Sequence, residues 1–332
     1  MRSRVLSGMR PTGALHLGHY HGALKNWVAL QDQHDCFYFV ADWHALTTDY
    51  QNPGQIEASV YEMVIDWLAA GIDPDKATLF IQSRLPEHAE LFTLLAMSTP
   101  LSWLERVPSY KDQMGRLADR ELGTYGFLGY PLLQAADILI YKASYVPVGE
   151  DQAPHVEITR EVARRFNHLY PRGDKPVMTE PATLLTQTAR LPGLDGQKMS
   201  KSYGNTIAMR EEPAMVEQKI RRMPTDPQRV RRSDPGEPER CPVWQFHQLY
   251  SDEATQAWAA QGCRSAGIGC LDCKQPVIAA VLREQQPWRE RAEAYLANPK
   301  QIQWIVEIGT ERARTVAKQT MKEVRDAMGL AY

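Results

Sequence analysis

The sequence lacks the features that mark secreted proteins, membrane-spanning proteins and proteins that bind nucleic acid by bulk charge. Only five of its 332 residues are cysteine, which is too few for a disulfide framework. No apolar run approaches the roughly 20 residues that a membrane helix needs, and none follows the basic start as in a signal peptide. The net charge of −2 restricts any RNA contact to local basic surface. We therefore expect a cytoplasmic protein.

Apolar segments alternate with helical patterns over the first 150 residues or so. Hydrophobic residues make up 43% of the chain, enough for a sizeable core. Short buried strands are predicted at 5–8, 36–41, 77–82 and 145–148. An amphipathic helix from Ile56 to Leu68 is expected to end at Gly71 with a left-handed cap. This alternation predicts an α/β fold with a Rossmann-type doubly wound parallel sheet, whose ligands bind at the carboxyl ends of the strands.

The character of the chain changes near residue 203. The stretch 219–240 is rich in Arg and Pro, and the sequence beyond it has helical character, most clearly over 311–328. We therefore predict a sheet-bearing domain over residues 1–203 and a C-terminal all-helical domain over residues 204–332.

The segment from Gly8 to His19 joins the first predicted strand to the first helix and contains His-Leu-Gly-His. Free backbone N–H groups at a helix start attract phosphate, and Gly13 and Gly18 permit close backbone approach. His16 and His19, one helical turn apart, could both donate hydrogen bonds to triphosphate oxygens. Two surface histidines or half of a metal site are the open alternatives. The Walker A pattern is absent, so P-loop chemistry is not supported.

A second motif, Lys-Met-Ser-Lys-Ser, occupies residues 198–202. Glycines on both sides of it predict a mobile loop. Two lysines and two hydroxyls in five residues suit a phosphate clamp, while a solvated polar loop is the plain alternative.

Together, these two motifs resemble the two signatures of class I aminoacyl-tRNA synthetases, in the right order. Further segments resemble the tryptophanyl-tRNA synthetases in particular. They are 71–74 with 80–83, 130–139, 146–152 with His155, Glu157 and Arg160, and 327–330. The resemblance implies an ATP-dependent ligase that activates L-tryptophan to tryptophanyl-adenylate and transfers it to the 3′ end of tRNA(Trp). It also implies a homodimer, a catalytic domain with a dimer-interface insertion, and an anticodon-binding role for the helical domain.

The resemblance assigns most of the ATP site to the two motifs. Lys198 and Lys201 would stabilise the leaving pyrophosphate, and His16 and His19 would hold the triphosphate, with Mg²⁺ bridging its oxygens. Lys111 would approach the phosphates from elsewhere. The ATP-binding residues implied in this way are Arg10, Pro11, Thr12, Gly18, His19, Gly149, Glu150, Asp151, Leu191, Lys198, Met199, Ser200, Lys201 and Ser202.

An indole N–H is a donor only, so a buried site for it needs an acceptor. Asp137, on an otherwise apolar predicted helix, matches the family residue that accepts this bond. Gln134 stands where the family often has Met, which predicts a more polar pocket wall. The tyrosyl enzyme stays open as an alternative, because a phenol could also donate to Asp137. The tryptophan-binding residues implied by the resemblance are Asp137, Gln152, His44, Val146, Val148 and Gln134.

Four of the five cysteines cluster in the sequence: Cys241, Cys263, Cys270 and Cys273. Clustered thiols in a cytoplasmic protein suggest a metal site, either zinc or iron–sulfur. The spacing resembles a subset of tryptophanyl-tRNA synthetases that carry a [4Fe–4S] cluster near the anticodon-binding region. Structural zinc and four free thiols are the alternatives. Such a centre could hold the Arg-rich surface around residues 221–232 against tRNA.

Two other kinds of protein share parts of this pattern. A synthetase-like regulator could bind tryptophan or its adenylate without aminoacylating tRNA, but the retention of both motifs argues against it. A small-molecule nucleotidyltransferase shares the first motif and the fold, but such enzymes are shorter and lack Lys-Met-Ser-Lys-Ser.

Overall fold

A five-stranded parallel sheet forms the centre of the protein, with the strand order β3-β2-β1-β4-β5. The computed structural model describes residues 2–107, 123–149, 152–173, 175–185 and 191–332. The four predicted strands are confirmed to within one residue at each end, whereas β5 was not predicted. The strands are β1 (Arg4–Met9), β2 (Asp35–Val40), β3 (Ala77–Ile81), β4 (Tyr145–Val148) and β5 (Ala182–Leu185).

Helices connect the strands and make up the chain after the sheet. Between α1 and α2 the chain forms a π-helical turn, Tyr20–Leu24. The helix α4 ends at Gly71, whose φ of 113° confirms the predicted left-handed cap. The helices are α1 (Leu17–His19), α2 (Lys25–Leu30), α3 (Asp42–Asp49), α4 (Gly54–Ala70), α5 (Glu87–Ala96), α6 (Leu101–Glu105), α7 (Tyr125–Ile140), α8 (Ala153–Leu169), α9 (Pro213–Arg222), α10 (Pro242–Tyr250), α11 (Glu253–Arg264), α12 (Cys270–Ala297) and α13 (Pro299–Met328).

Both faces of the sheet are covered, as the buried strands require. Alternate residues of β2 belong to different core clusters: Tyr38 packs in one with Trp27 and Trp67, and Phe39 packs in the other with Phe80. This two-sided burial explains why β2 and β3 are apolar at nearly every position. The predicted doubly wound α/β class is confirmed.

The C-terminal helices pack directly on the sheet layer. The helix α12 lies against α4, and α13 lies against the edge strand β3. At the α13 contact there is no space for a side chain, because a Cβ atom on Gly309 would lie 1.8 Å from the Leu79 carbonyl oxygen. The predicted domain boundary near residue 203 stays a prediction.

A polar contact also ties the π-helical turn to the C-terminal helices. The Nε2 atom of His21 lies 2.9 Å from the Tyr250 hydroxyl and 3.1 Å from a Glu284 carboxylate oxygen. Within the described ranges, no helix has the length and apolar character needed to cross a lipid bilayer.

Candidate active site

A cleft of about 430 Å³ opens at the carboxyl ends of β1 and β4, where the strand order reverses. This is the position at which doubly wound sheets bind their ligands. The cleft combines apolar walls with a small number of polar groups, as ligand sites do. Its lining includes Gly8, Met9, Arg10, His19, Gly22, Ala23, Phe39, His44, Phe127, Tyr130, Gln134, Asp137, Val146, Val148, Gly149, Gln152 and His155.

The two histidines of the first motif stack on each other with ring centroids 3.7 Å apart. The backbone N–H of His16 donates to Nδ1 of His19 at 3.2 Å, which leaves the His19 proton on Nε2. Burial and the Lys201 charge lower the pKa of His16 to about 4, and burial lowers that of His19 well below its usual value. Both rings are therefore neutral at pH 7, and each carries one N–H.

Only His19 of this pair lines the cleft, while His16 lies behind it. In the part of the chain that the structure describes, Nδ1 of His16 is buried without a hydrogen-bond partner. A Cβ atom on Gly18 would lie 3.0 Å from the His16 ring, so this glycine makes room for the stack.

The two motifs, separated by about 180 residues in the sequence, are joined by direct backbone pairing. The N–H of Leu17 donates to the Ile207 carbonyl at 3.0 Å, and the N–H of Met209 donates to the Leu15 carbonyl at 2.9 Å. Buried Asp66 adds a second link, because one carboxylate oxygen accepts from the Leu15 N–H at 3.0 Å and the other pairs with Arg210 at 2.5 Å. The chain just after Lys-Met-Ser-Lys-Ser is thus fixed to the first motif.

The loop that carries the lysines is held in shape by Asn205. Its side chain accepts from the Ser200 N–H at 2.8 Å and donates to Asp195 at 2.7 Å and to the Lys198 carbonyl at 3.1 Å. At the tip, Nζ of Lys201 donates to the Thr12 carbonyl at 2.9 Å. Burial lowers the pKa of Lys201 to about 8, so the group is mostly charged at pH 7. A cation is therefore positioned beside the first motif.

The other residues implied for ATP fall into three groups. Arg10 and Gly149 line the cleft, and Thr12 borders it through the bond from Lys201. Leu191 and Met199 are buried in the core cluster that includes Trp67 and Val216. Pro11 is buried as well. Outside the described residues lie Glu150, Asp151, Lys111 and the side chain of Ser202.

Asp137 is fully buried on α7 and forms the polar floor of the cleft. Its Oδ1 atom accepts from His88 Nδ1 at 2.6 Å and from Gln82 Nε2 at 2.8 Å, and its Oδ2 atom accepts from His44 Nε2 at 2.8 Å and from Gln82 at 2.9 Å. Burial alone would raise the pKa of Asp137, but the hydrogen bonds from His44 and His88 outweigh it and lower the pKa. The group is a charged acceptor.

The remaining pocket residues surround this floor. Val146 and Val148 supply apolar wall from β4, and Gln152 lies at the start of α8. The amide oxygen of Gln134 lies 2.7 Å from His155 Nδ1, so the polar wall expected at Gln134 is already engaged by a protein group.

Sequence reasoning missed Gln82 and His88. Both are fully buried polar side chains with 0% exposure, and both donate to Asp137. Gln82 lies in the segment 80–83 that resembles the family, but no role was assigned to it. His88 gave only the signal of a histidine on an apolar helix face, which usually indicates a satisfied core residue.

The four clustered cysteines line a second, smaller cavity together with Asp226, Arg229 and Val243. Burial and the three other thiols raise the pKa of Cys273 to about 12. As the side chains stand in the described ranges, no three of His, Cys, Asp or Glu form a group that could hold a metal ion. The four thiols thus line one cavity without forming a metal-binding group in the described ranges. A thiol-only donor set with nearby cations suits a soft metal or an iron–sulfur cluster.

Comparison with known proteins agrees with this geometry. The family described as tRNA synthetases class I (W and Y) matches residues 1–283. The chain is 58% identical to a tryptophan–tRNA ligase of Ralstonia nicotianae, over 99% of this chain and 99% of that protein. It is 51% identical to a tryptophan–tRNA ligase of Thermotoga maritima, over 99% and 100% of the two chains. The crystal structure of tryptophanyl-tRNA synthetase from Campylobacter jejuni complexed with ADP and tryptophan is similar, with a TM-score of 0.87 and 33% identity over 98% of this chain and 100% of that one. The chain therefore belongs to the tryptophanyl-tRNA synthetases, a family of class I aminoacyl-tRNA synthetases.

Proposed function

We propose that the cleft activates L-tryptophan with ATP and that the chain then transfers the tryptophanyl group to the 3′ end of tRNA(Trp). The observation that carries this proposal is the backbone pairing of residues 15–17 with residues 207–209. It brings the histidine motif and the lysine loop to one rim of a cleft whose floor is a charged hydrogen-bond acceptor.

The first step is a displacement at the α-phosphorus of ATP. A carboxylate oxygen of tryptophan forms the new bond to phosphorus, and the bond to the bridging oxygen of pyrophosphate breaks. Negative charge grows on the leaving pyrophosphate. Lys201, and Lys198 on the same loop, would stabilise that charge, while His19 would donate a hydrogen bond from its Nε2–H to a triphosphate oxygen. Mg²⁺ would be held by the phosphate oxygens and would offset part of their charge.

The second step moves the tryptophanyl group from the adenylate to a ribose hydroxyl of the tRNA 3′ end, releasing AMP. Neither step needs a covalent intermediate with the protein. The protein acts by alignment of the reactants and by electrostatic stabilisation.

Tryptophan selection rests on Asp137. The indole lies between Val146 and Val148 and donates its N–H to this carboxylate, while Gln152 and His44 lie toward the substrate amino group. Phenylalanine would leave the buried carboxylate short of a partner, which a hydrogen-bonded site rejects strongly.

Pyrophosphate exchange tests this assignment. Incorporation of labelled pyrophosphate into ATP is measured with tryptophan, tyrosine and phenylalanine in parallel. We expect exchange with tryptophan and a rate lower by about 10⁴-fold or more for phenylalanine. Faster exchange with tyrosine than with tryptophan would favour the tyrosyl alternative.

Aminoacylation separates a ligase from the two other classes. A regulator that binds tryptophan or its adenylate would leave tRNA uncharged. A small-molecule nucleotidyltransferase would show no exchange that depends on an amino acid. Charging of purified tRNA(Trp) with labelled tryptophan is the expected result.

The second cavity is a candidate metal centre. Cys241, Cys263, Cys270 and Cys273 would hold a [4Fe–4S] cluster, with structural zinc as the alternative. The thiol-only donor set and the guanidinium of Arg229, which lies 4.0 Å from Cys263 Sγ, support an anionic centre. Such a centre would join the segment around residues 225–241 to the start of α12.

Absorbance and metal analysis of anaerobically prepared protein distinguish these possibilities. A visible band near ~400 nm with about four irons per chain is expected for the cluster. A colourless protein with one zinc per chain would support the alternative. Metal-free protein that is fully active and equally stable would contradict both. Cys36→Ala, in β2, is the control. It should leave the absorbance and the metal content unchanged, because Cys36 is a core residue outside the cavity.

A basic surface next to this cavity would contact tRNA. Arg221, Arg222, Arg231 and Arg232 are all exposed. Reversal of two of these charges, in Arg222→Glu/Arg231→Glu, is expected to lower kcat/KM for tRNA by at least tenfold and to leave pyrophosphate exchange unchanged. An equal effect on both reactions would exclude a tRNA-specific role.

A second copy of this chain is the proposed partner of an apolar patch. Met97, Leu101 and Tyr125 are exposed to 72%, 60% and 65%. Met97 follows α5, Leu101 begins α6 and Tyr125 begins α7, and both α5 and α6 pack on α7. Light scattering should give the mass of a dimer. Leu101→Glu should lower that mass toward the monomer, and an unchanged mass would contradict the assignment.

A further inference from the structure

The carboxylate of Asp137 has a definite number of acceptor positions. Two oxygens provide about four lone-pair sites. The protein fills them with three donor groups, from His44, His88 and Gln82, of which the Gln82 amide is shared between both oxygens. Three donors therefore leave about one site. Oδ1 is reached by His88 and Oδ2 by His44, and His44 is the donor that lines the cleft.

The three donors differ in their access to the cleft. The His44 side chain is 11% exposed and lines the cleft, whereas His88 is 0% exposed and lies behind Asp137. Substrate can displace or reorient His44, but it cannot reach His88. The bond from His88 is therefore a permanent part of the site.

Both ring nitrogens of His88 have a partner. An ionised carboxylate can only accept, so Nδ1 of His88 donates to Asp137. On the other side of the ring, Nε2 lies 2.6 Å from the Tyr141 hydroxyl. Tyr141 is itself fully buried against Phe37 and Phe80, so the position of the His88 ring is fixed from both sides.

We propose that His88 is a positioning residue for tryptophan selection. By donating to the inner oxygen of Asp137, Oδ1, it keeps the carboxylate ionised and turns the outer oxygen, Oδ2, toward the indole N–H. The proposal rests on the role of Asp137 given above. Tyr141 supports it by holding the His88 ring in place through the contact with Nε2. Without this bond the buried carboxylate would take up a proton or rotate, and in either case it would lose its preference for a donor in the cleft.

Two substitutions of similar polarity separate the two bonds of His88. In His88→Asn the amide nitrogen lies near the position of Nδ1 and can donate to Asp137. In His88→Gln the amide lies near the position of Nε2, next to Tyr141, and leaves Asp137 without its inner donor. Both side chains are polar and smaller than or close to histidine in size.

The readout is the ratio of kcat/KM for tryptophan to kcat/KM for β-(3-benzothienyl)alanine in pyrophosphate exchange. The analogue keeps the bicyclic shape and replaces the indole N–H by sulfur. The wild-type protein should prefer tryptophan by between about 5-fold and 150-fold, the range expected when a buried acceptor is left unpaired. His88→Asn should keep most of this ratio, and His88→Gln should lower it at least fivefold, chiefly through loss of activity on tryptophan.

Each contrary result has its own meaning. If the wild-type protein fails to exchange with tryptophan, the proposed function fails; if it exchanges but shows no preference for tryptophan over the analogue, the Asp137 assignment fails. If the wild type discriminates and both variants keep the same ratio, or if both substrates lose activity equally in His88→Gln, the role of His88 is overturned.

Tyr141→Phe provides a second measurement should a His88 variant fail to fold. It keeps the ring packing and removes only the hydroxyl that holds Nε2 of His88. A ratio lower than that of the wild type supports the proposal, and an unchanged ratio overturns the part assigned to Tyr141.

Discussion

Lys201 donates a hydrogen bond from Nζ to the backbone carbonyl of Thr12 at 2.9 Å, so the two motifs touch at this bond as well as through the backbone pairing beside it. The cation lies next to Gly13, whose φ of 97° suits glycine and whose missing side chain leaves the approach open. Lys201 therefore lies beside the position proposed for the triphosphate. When ATP binds, Lys201 would exchange its hydrogen bond to the Thr12 carbonyl for a contact with a charged phosphate.

The charge of Lys201 gives an alkaline limit to activity. Because burial lowers its pKa to about 8, the cation of the free protein is lost as the pH rises through that value. We expect kcat/KM for ATP in pyrophosphate exchange to fall above pH 8, by up to about tenfold per pH unit. Lys201→Arg should move the decline to higher pH, since guanidinium stays charged. A decline at the same pH in that variant would assign it to another group.

The stacked histidines make the protein sensitive to acid. The folded pKa of His16 is about 4, below its ordinary 6.5, and that of His19 is also lowered. The unfolded chain therefore binds protons first, and stability that is complete above pH 6.5 is lost as the pH falls toward 4. The loss is at most about 1.4 kcal/mol per pH unit for each histidine.

Urea unfolding at pH 7.5 and at pH 5 checks this expectation. His16→Gln should narrow the difference in unfolding free energy between the two pH values, since Gln does not titrate. His168→Gln, on the last turn of α8, is a matched control that leaves the stack intact. If the unfolding free energy changes equally between the two pH values in the wild type, His16→Gln and His168→Gln, the histidine pair is not the source of that change.

The Asp66–Arg210 pair should be strongly coupled. Asp66 is 2% exposed, so Arg210→Met leaves a buried charge without its partner and should cost about 3–5 kcal/mol of unfolding free energy. The double variant Asp66→Asn/Arg210→Met removes that charge and should recover much of the loss. Because the pair connects the first motif to the segment after the lysine loop, pyrophosphate exchange should follow the same order. Additive effects in the double-mutant cycle would show that the pair is not coupled.

The contact between α13 and β3 depends on the absence of a side chain. Gly309→Ala places a methyl group 1.8 Å from the Leu79 carbonyl oxygen and should destabilise the fold by about 1–3 kcal/mol, despite the better helix propensity of alanine. Gly126→Ala is the control, since a Cβ there meets nothing within 4 Å. It should be neutral or slightly stabilising. Similar unfolding midpoints for the two variants would contradict the close approach.

Sequence patterns predicted the secondary-structure elements that depend on residues close together in the chain. The strands β1 to β4 and the cap at Gly71 follow from local apolar runs and from the backbone freedom of glycine. The strand β5, Ala182–Leu185, was missed because only its last two residues are large and apolar, which is too short a run to predict a buried strand.

For the candidate site, the sequence named individual residues and motifs but not the contacts between them. The sequence identified the two motifs and Asp137, yet the pairing of residues 15–17 with 207–209 depends on the completed fold. The same is true of His88 and Gln82, which lie 49 and 55 residues from Asp137 in the sequence. A buried carboxylate needs donors, but local pattern does not say which element supplies them.

The close fit at Gly309 has a consequence for behaviour at high concentration. As the outermost strand on its side of the sheet, β3 would offer unpaired amide and carbonyl groups to a strand of another molecule. With α13 lying backbone to backbone on Leu79, that template for intermolecular strand addition is covered. Local detachment of α13 would therefore expose the edge of β3 and promote aggregation before the rest of the fold is lost.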